Sequence, residues 1–136
     1  MNTEKAELFT PAPEWSGRTD GPGPEHARWH SVINQSTDSP APVTLLGFAS
    51  DEGVLRNGGR QGAAAGPAAL RAALGSLAVH HEHALADAGT ITTQADDLDG
   101  AHDALSDKVQ ELVEAGTLPI IPVSYTHLTL PTILLV

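Results

Sequence analysis

A chain of 136 residues is enough for one domain, and its seven Lys and Arg against seventeen Asp and Glu give a formal net charge of −10. Such a surface repels phosphate backbones and anionic headgroups, so neither nucleic acid nor membrane is an expected partner. The absence of cysteine excludes disulfides and thiolate metal sites and fits a cytoplasmic protein. Apolar residues make up 40% of the chain but aromatics only 4%, so any core is built from Ala, Leu, Val and Ile. The start, MNTEKAELFTPAPEW, lacks the apolar stretch of a signal peptide, and no run reaches the roughly 18 apolar residues of a membrane span.

Residues 1–25 are rich in proline and glycine (TPAPEW, DGPGPEH) and read as an extended, turn-rich lead-in. Residues 25–34 predict a short helix packing through Trp29, Val32 and Ile33, followed by a polar loop, NQSTDSPAP. The run VTLLGF (43–48), bounded by Pro42 and a turn, predicts a buried strand. A glycine-rich loop, SDEGVLRNGGRQGAAAG, leads to Pro67, which suits a first helical turn because its missing N–H costs nothing there. The helix that follows, 68–77, is expected to pack through Leu70, Leu74 and Leu77. DAGTITT (87–93) predicts a turn and a β-branched strand. Residues 99–115 carry Ala101, Leu105, Val109, Leu112 and Val113 at helical spacing, with Asp99 as N-cap and Gly116 as the stop. LPII (118–121) begins another buried strand. This alternation predicts an α/β fold, a parallel sheet with covering helices, and an incomplete one: three strands and two helices.

Between the first strand and its helix, Gly58, Gly59, Gly62 and Gly66 surround Arg56, Asn57 and Arg60. The loop has neither the G-x-G-x-x-G spacing nor a following Lys-Ser/Thr, so nucleotide binding is disfavoured. Two arginines and an amide among glycines can instead hold an anionic substrate, since guanidinium binds carboxylate bidentately. A surface turn with solvated arginines is the plain alternative. His80, His81, Glu82 and His83 invite a metal, but adjacent side chains of an extended segment point apart and no carboxylate set accompanies them. His26 and His30 carry the same weak signal at i, i+4. Asp96, Asp97, Asp99 and Asp103 precede or open a helix, where negative charge complements the dipole without catalysis. No catalytic residue and no metal ligand is legible from the residues alone.

The run VTLLGFASDEGVLRNGGRQGAAAGPAALRAAL resembles the start of the arginase/agmatinase-type ureohydrolases. WSGRTDGPGPEHARWH, DAGTI and the helix running into GTLPII agree with the formimidoylglutamase branch, so the resemblance spans Trp15 to Ile121. It implies the N-terminal part of a three-layer α/β/α sandwich on a parallel sheet. It also implies a cytoplasmic hydrolase of histidine degradation, a homo-oligomer when full length. In that branch two Mn²⁺ ions bridge a hydroxide that attacks the formimidoyl carbon of N-formimidoyl-L-glutamate, releasing L-glutamate and formamide. A dicarboxylate substrate suits Arg56, Asn57 and Arg60.

After LPI the family continues into a Gly-Gly-Gly-His-Glu turn carrying its first metal ligand, with Asp-x-His-x-Asp and Asp-x-Asp motifs later; here Ile121 is followed by Pro122-Val123-Ser124-Tyr125. The family's ligands are therefore absent, and His127, without a glycine turn or acidic companions, does not replace them. The domain reading is a lead-in with a short helix (1–42), a ureohydrolase part (43–121) and an artefactual tail (122–136), because VSYTHLTLPT resembles translated sequencing-adapter DNA. A chain of this kind is expected to be inactive by itself. Another ureohydrolase, an agmatinase or guanidino-acid hydrolase, and a non-catalytic binding or interaction domain are the alternatives.

Overall fold

The computed structural model describes residues 3–35 and 41–123. Its centre is a four-stranded sheet of β1 (Phe9–Thr10), β2 (Val43–Ala49), β3 (Leu85–Thr92) and β4 (Leu118–Ile120), in the order β1-β3-β2-β4. β2 is parallel to both β3 and β4, as the near-continuous apolar runs require, since side chains on both faces are covered. β1 is antiparallel to β3. The sequence predicts no strand there, because two residues ahead of Pro11 carry no periodicity to detect.

The helices are α1 (Thr3–Glu7), α2 (Trp29–Val32), α3 (Glu52–Arg56), α4 (Gly66–Gly75) and α5 (Leu98–Glu114). Alternate residues of β2 face opposite layers. Leu46 and Phe48, with Ala88 and Ile91 of β3, meet Ala101, Ala104, Leu105, Val109 and Leu112 of α5 in the main core. Gly47 points the other way, where an added Cβ would sit 2.9 Å from Pro67 Cβ and 3.2 Å from Arg71 Nη1. Glycine at 47 is what lets α4 lie this close. Among the described residues no helix is long and apolar enough to cross a membrane.

Several helical details differ from the sequence reading. The N-cap of α5 is Asp97, which accepts the Gly100 N–H at 2.9 Å, and Asp99 lies inside the first turn. Val113 is exposed, on the shoulder of the buried stripe. α4 ends at Gly75, short of Leu77, and the expected Leu70 and Leu77 are exposed, while Pro67, Arg71 and Gly75 form the buried face. The i, i+4, i+8 row through Arg71 wins because that arginine has a buried ionic partner, described below. In α2, Val32 is exposed as well. Gly116 ends α5 with φ +83, the left-handed turn that suits glycine.

The lead-in is a belt rather than a free segment. Thr92 donates its N–H to Leu8 O, Trp29 N–H goes to Leu77 O, Val79 N–H to Ala27 O, and Asn34 exchanges two backbone hydrogen bonds with Leu85 and Asp87. At the other end of the described chain, Pro122 O accepts from Phe48 N at 3.3 Å and Val123 packs partly buried on the core. The rest of the tail, His127 included, lies outside the described residues, as does the middle of the loop before β2.

Candidate functional site

The connection leaving β2 runs to the α4 face of the sheet, and the one leaving β3 runs to the α5 face. Adjacent parallel strands whose connections part in this way leave a crevice at their carboxyl ends, where open α/β sheets bind ligands. Residues 50–65 and 93–97 rim that crevice. Arg56 joins the two loops: its Nη2 donates to Asp96 O at 2.8 Å, while its Nε donates to Glu52 Oε1 at 3.1 Å. Asn57 and Arg60 are exposed on the same loop. The three candidate residues therefore share one rim, but they are not equivalent. Arg56 is committed to holding the loops together, which leaves Arg60 as the loop's solvent-facing guanidinium.

Asp51 sets the loop's shape. Its Oδ1 accepts the N–H groups of Gly62 at 2.9 Å and Ala64 at 3.0 Å, closing residues 51–64 into a ring. These backbone donors, Gly62 first and then Ala64, hold the Asp51 carboxyl below its ordinary value of 3.8. The donors belong to the turn that starts the 3₁₀ segment Ala63–Ala65 and then α4, which is where a phosphate would sit if this were a nucleotide loop. The chain's own carboxylate already takes the Gly62 and Ala64 donors.

A second polar cluster lies under the sheet face covered by α4, and the sequence reading missed it. Asp87 of β3, almost without exposed surface, accepts four hydrogen bonds. Trp15 Nε1 and Arg71 Nε reach Oδ2, each at 2.7 Å; Arg71 Nη2 at 2.8 Å and Gly89 N at 3.0 Å reach Oδ1. Arg71 spends its remaining donors on Thr90 Oγ1 at 2.8 Å and Gly89 O at 2.7 Å. Both carboxylate oxygens and four of the five guanidinium N–H groups are matched within the protein, so the pair is a scaffold contact. Its sequence signal was an arginine on an apolar helix and an aspartate in an apolar strand, each unexplained alone and explained together.

The motif WSGRTDGPGPEHARWH serves the same scaffold. Trp15 is pinned to Asp87, and Gly17 lies against Gly75, where a Cβ on Gly17 would meet Gly75 O at 2.7 Å. Asp20 is held between Arg18 and Arg28, with Arg28 Nε at 2.6 Å and its Nη1 on Ser76 O. The paired Arg28, then Arg18, hold Asp20 below its ordinary value. A cleft of about 220 Å³ lined by Arg18, His26 and His30 opens beside it.

The histidines do not assemble. His26 belongs to a 3₁₀ turn (Pro24–His26) and His30 to α2, separated by extended backbone, so the helical i, i+4 geometry is not formed. His30 Nε2 contacts Arg18 O at 2.9 Å. His81 turns its Nδ1 to His83 O at 3.0 Å and sets its ring edgewise on Trp29, 5.9 Å between centroids. Among the described residues no three His, Cys, Asp or Glu side chains are grouped to hold a metal ion.

The Arginase family profile matches residues 41–122, which include the glycine loop and the buried Arg71–Asp87 pair. This chain belongs to the arginase family. It is 45% identical over 113 residues to formimidoylglutamase of Nocardia farcinica, covering 82% of this chain and 36% of that protein. It is 48% identical over 110 residues to formimidoylglutamase of Corynebacterium efficiens, covering 79% and 35%. The fold matches the crystal structure of Trypanosoma cruzi formiminoglutamase with Mn²⁺ at a TM-score of 0.61 and 35% identity, covering 72% of this chain and 35% of that one. The chain spans about a third of the length of the relatives it matches. The α/β fold is accordingly the incomplete arginase-like sheet that the sequence implies.

Proposed function

We propose that this chain is the N-terminal part of a formimidoylglutamase, an amidine C–N hydrolase that converts N-formimidoyl-L-glutamate and water to L-glutamate and formamide. Its setting is cytoplasmic histidine degradation. The observation that carries the reading is the crevice at the carboxyl ends of β2 and β3, rimmed by Arg56, Asn57 and Arg60, in a chain whose curated relatives are formimidoylglutamases. A substrate with two carboxylates needs a fixed cation at the mouth of the site, and Arg60 is the rim guanidinium left facing solvent. Arg56 positions the rim, and Asn57 adds an amide to it.

The Trypanosoma cruzi relative binds Mn²⁺, a metal that can generate hydroxide at neutral pH. The described residues do not fit that pair of ions, since no three ligating side chains converge. What they supply is the scaffold and the substrate-facing rim, and by itself the chain is inactive. The test is a chimera in which residues 1–121 replace the matched segment of the Nocardia farcinica protein. Release of formamide from N-formimidoyl-L-glutamate supports the reading. Hydrolysis of agmatine with urea release, and no action on the formimidoyl compound, would overturn it.

A further inference from the structure

The cleft of about 220 Å³ lined by Arg18, His26 and His30 lies at the end of the sheet away from the crevice. α4 starts beyond the carboxyl end of β2 and leads back to the amino end of β3, so its last residues lie at the amino ends of the strands. The belt meets α4 there. Arg18 donates its N–H to Ser76 Oγ at 3.2 Å, Arg28 Nη1 reaches Ser76 O, and Asn34 pairs with the start of β3. The loop of Arg56 and Arg60 leaves the opposite end of the same strands.

Charge sets this cleft apart. The chain carries a formal net charge of −10, yet no Asp or Glu is among the described residues that line it. The acids nearby are engaged already. Asp20 receives Arg18 Nε on Oδ1 and Arg28 Nε on Oδ2, the latter at 2.6 Å, and Glu25 stands 3.5 Å from His26 Nε2. Arg18 spends only its Nε in this way. Its terminal nitrogens, on a side chain 72% exposed, make no hydrogen bond to any described residue. Among the described residues Arg60 is the only Lys or Arg side chain left wholly without a partner, and it belongs to the crevice.

The Asp20 contact steadies the Arg18 guanidinium by one edge and leaves the Nη1–Nη2 edge, a fork that takes two carboxylate oxygens side by side. Thr19 adds a hydroxyl to the wall, and His30 is fixed by its Nε2 bond to Arg18 O at 2.9 Å. The volume falls below the roughly 300 Å³ at which pockets enclose drug-sized ligands, which suits a short organic acid and not a nucleotide. A phosphate concentrates more charge on one group, so Asp20 and Glu25 disfavour it more than a carboxylate.

We propose that this cleft is an anion site separate from the crevice, holding the carboxylate of a small organic acid on the free edge of Arg18. It does not rest on the activity proposed above. An acid bound there bridges the turn at residues 18–24 and α2, and so fastens the belt.

The experiment titrates the ¹⁵N-labelled 136-residue chain with succinate and, at equal ionic strength, with inorganic phosphate. Saturable amide shifts centred on Thr19, Gly21 and Gly23 are expected with succinate, and little response to phosphate. Arg18→Gln should weaken succinate binding about tenfold, the loss of one charge-assisted contact. Its circular dichroism should match the parent, since Asp20 keeps Arg28. Shifts that do not saturate, shifts centred on residues 56–62, an equal response to phosphate, or an unchanged titration in Arg18→Gln would each overturn the site.

Discussion

Arg71 and Asp87 meet edge to edge inside the protein, Nε to Oδ2 at 2.7 Å and Nη2 to Oδ1 at 2.8 Å, with 8% and 0% of their side chains exposed. The contact bolts α4 to β3. Through the Trp15 indole on the same carboxylate it also fixes the lead-in to the sheet. Removing one charge leaves the other buried and uncompensated. Arg71→Met is expected to destabilise the fold by about 3–5 kcal/mol, read from the midpoint of urea unfolding. A loss smaller than that of an ordinary surface substitution would show the pair to be incidental.

Trp15→Phe removes the N–H together with part of the indole's volume. Asp87 retains three donors, so the expected cost is at least about 1.5–3 kcal/mol, the range for a hydrogen bond to a charged group, with a further loss for the space left in a buried position. The specific signature is uncoupling of residues 8–35, seen as faster amide exchange at Trp29 and Val79, whose N–H groups tie the belt to the chain that follows α4. Uniform exchange across the molecule would argue that the belt has no separate stability.

Asp51 makes stability depend on acid. Its folded value lies below 3.8, so its contribution is complete above that value and is lost as the pH falls through the folded one. Unfolding measured at about pH 6 and about pH 2.5 should show a larger loss for the parent chain than for Asp51→Asn. Equal losses would mean that the Gly62 and Ala64 hydrogen bonds do not depend on the carboxylate's charge.

Gly89 follows an irregularity in the β2–β3 register, with φ +118, a conformation that side chains rarely adopt. It also supplies the N–H and the C=O that finish the Asp87–Arg71 cluster. Gly89→Ala should cost about 1–3 kcal/mol through backbone strain. By contrast Leu77→Ser, at a position half exposed, should stay within about 0.5 kcal/mol. Thermal melts of the two variants side by side check both.

The strand VTLLGF and α5 were legible in the sequence because burial on both faces, or on one helical stripe, writes a signal: VTLLGF and the Ala101–Leu112 row fall where the sequence places them. LPII forms a strand but not the buried one expected, since it is the outer strand of the sheet and Leu118 and Ile120 are exposed. The buried side of α4 was not legible. Its leucines carry the apolar signal, yet the sheet selects Pro67, Arg71 and Gly75, which only a partner on β3 explains. β1 and the belt were hidden for a related reason, since their contacts are backbone hydrogen bonds and close glycine packing that leave no pattern in composition. At the candidate site the sequence locates the glycine loop between β2 and α4. The division of labour between Arg56 and Arg60 was not legible, because it depends on Asp96 O, a backbone atom forty residues away.

If the glycine loop presents Arg60 to an anionic substrate while Arg56 holds the rim, steady-state kinetics of Arg60→Ala in the chimera with the Nocardia farcinica protein will show it. Loss of a charge-assisted contact of about 1.5–3 kcal/mol predicts a KM for N-formimidoyl-L-glutamate raised at least tenfold, with kcat little changed. An unchanged KM in an active, folded Arg60→Ala chimera would mean that Arg60 does not hold the substrate.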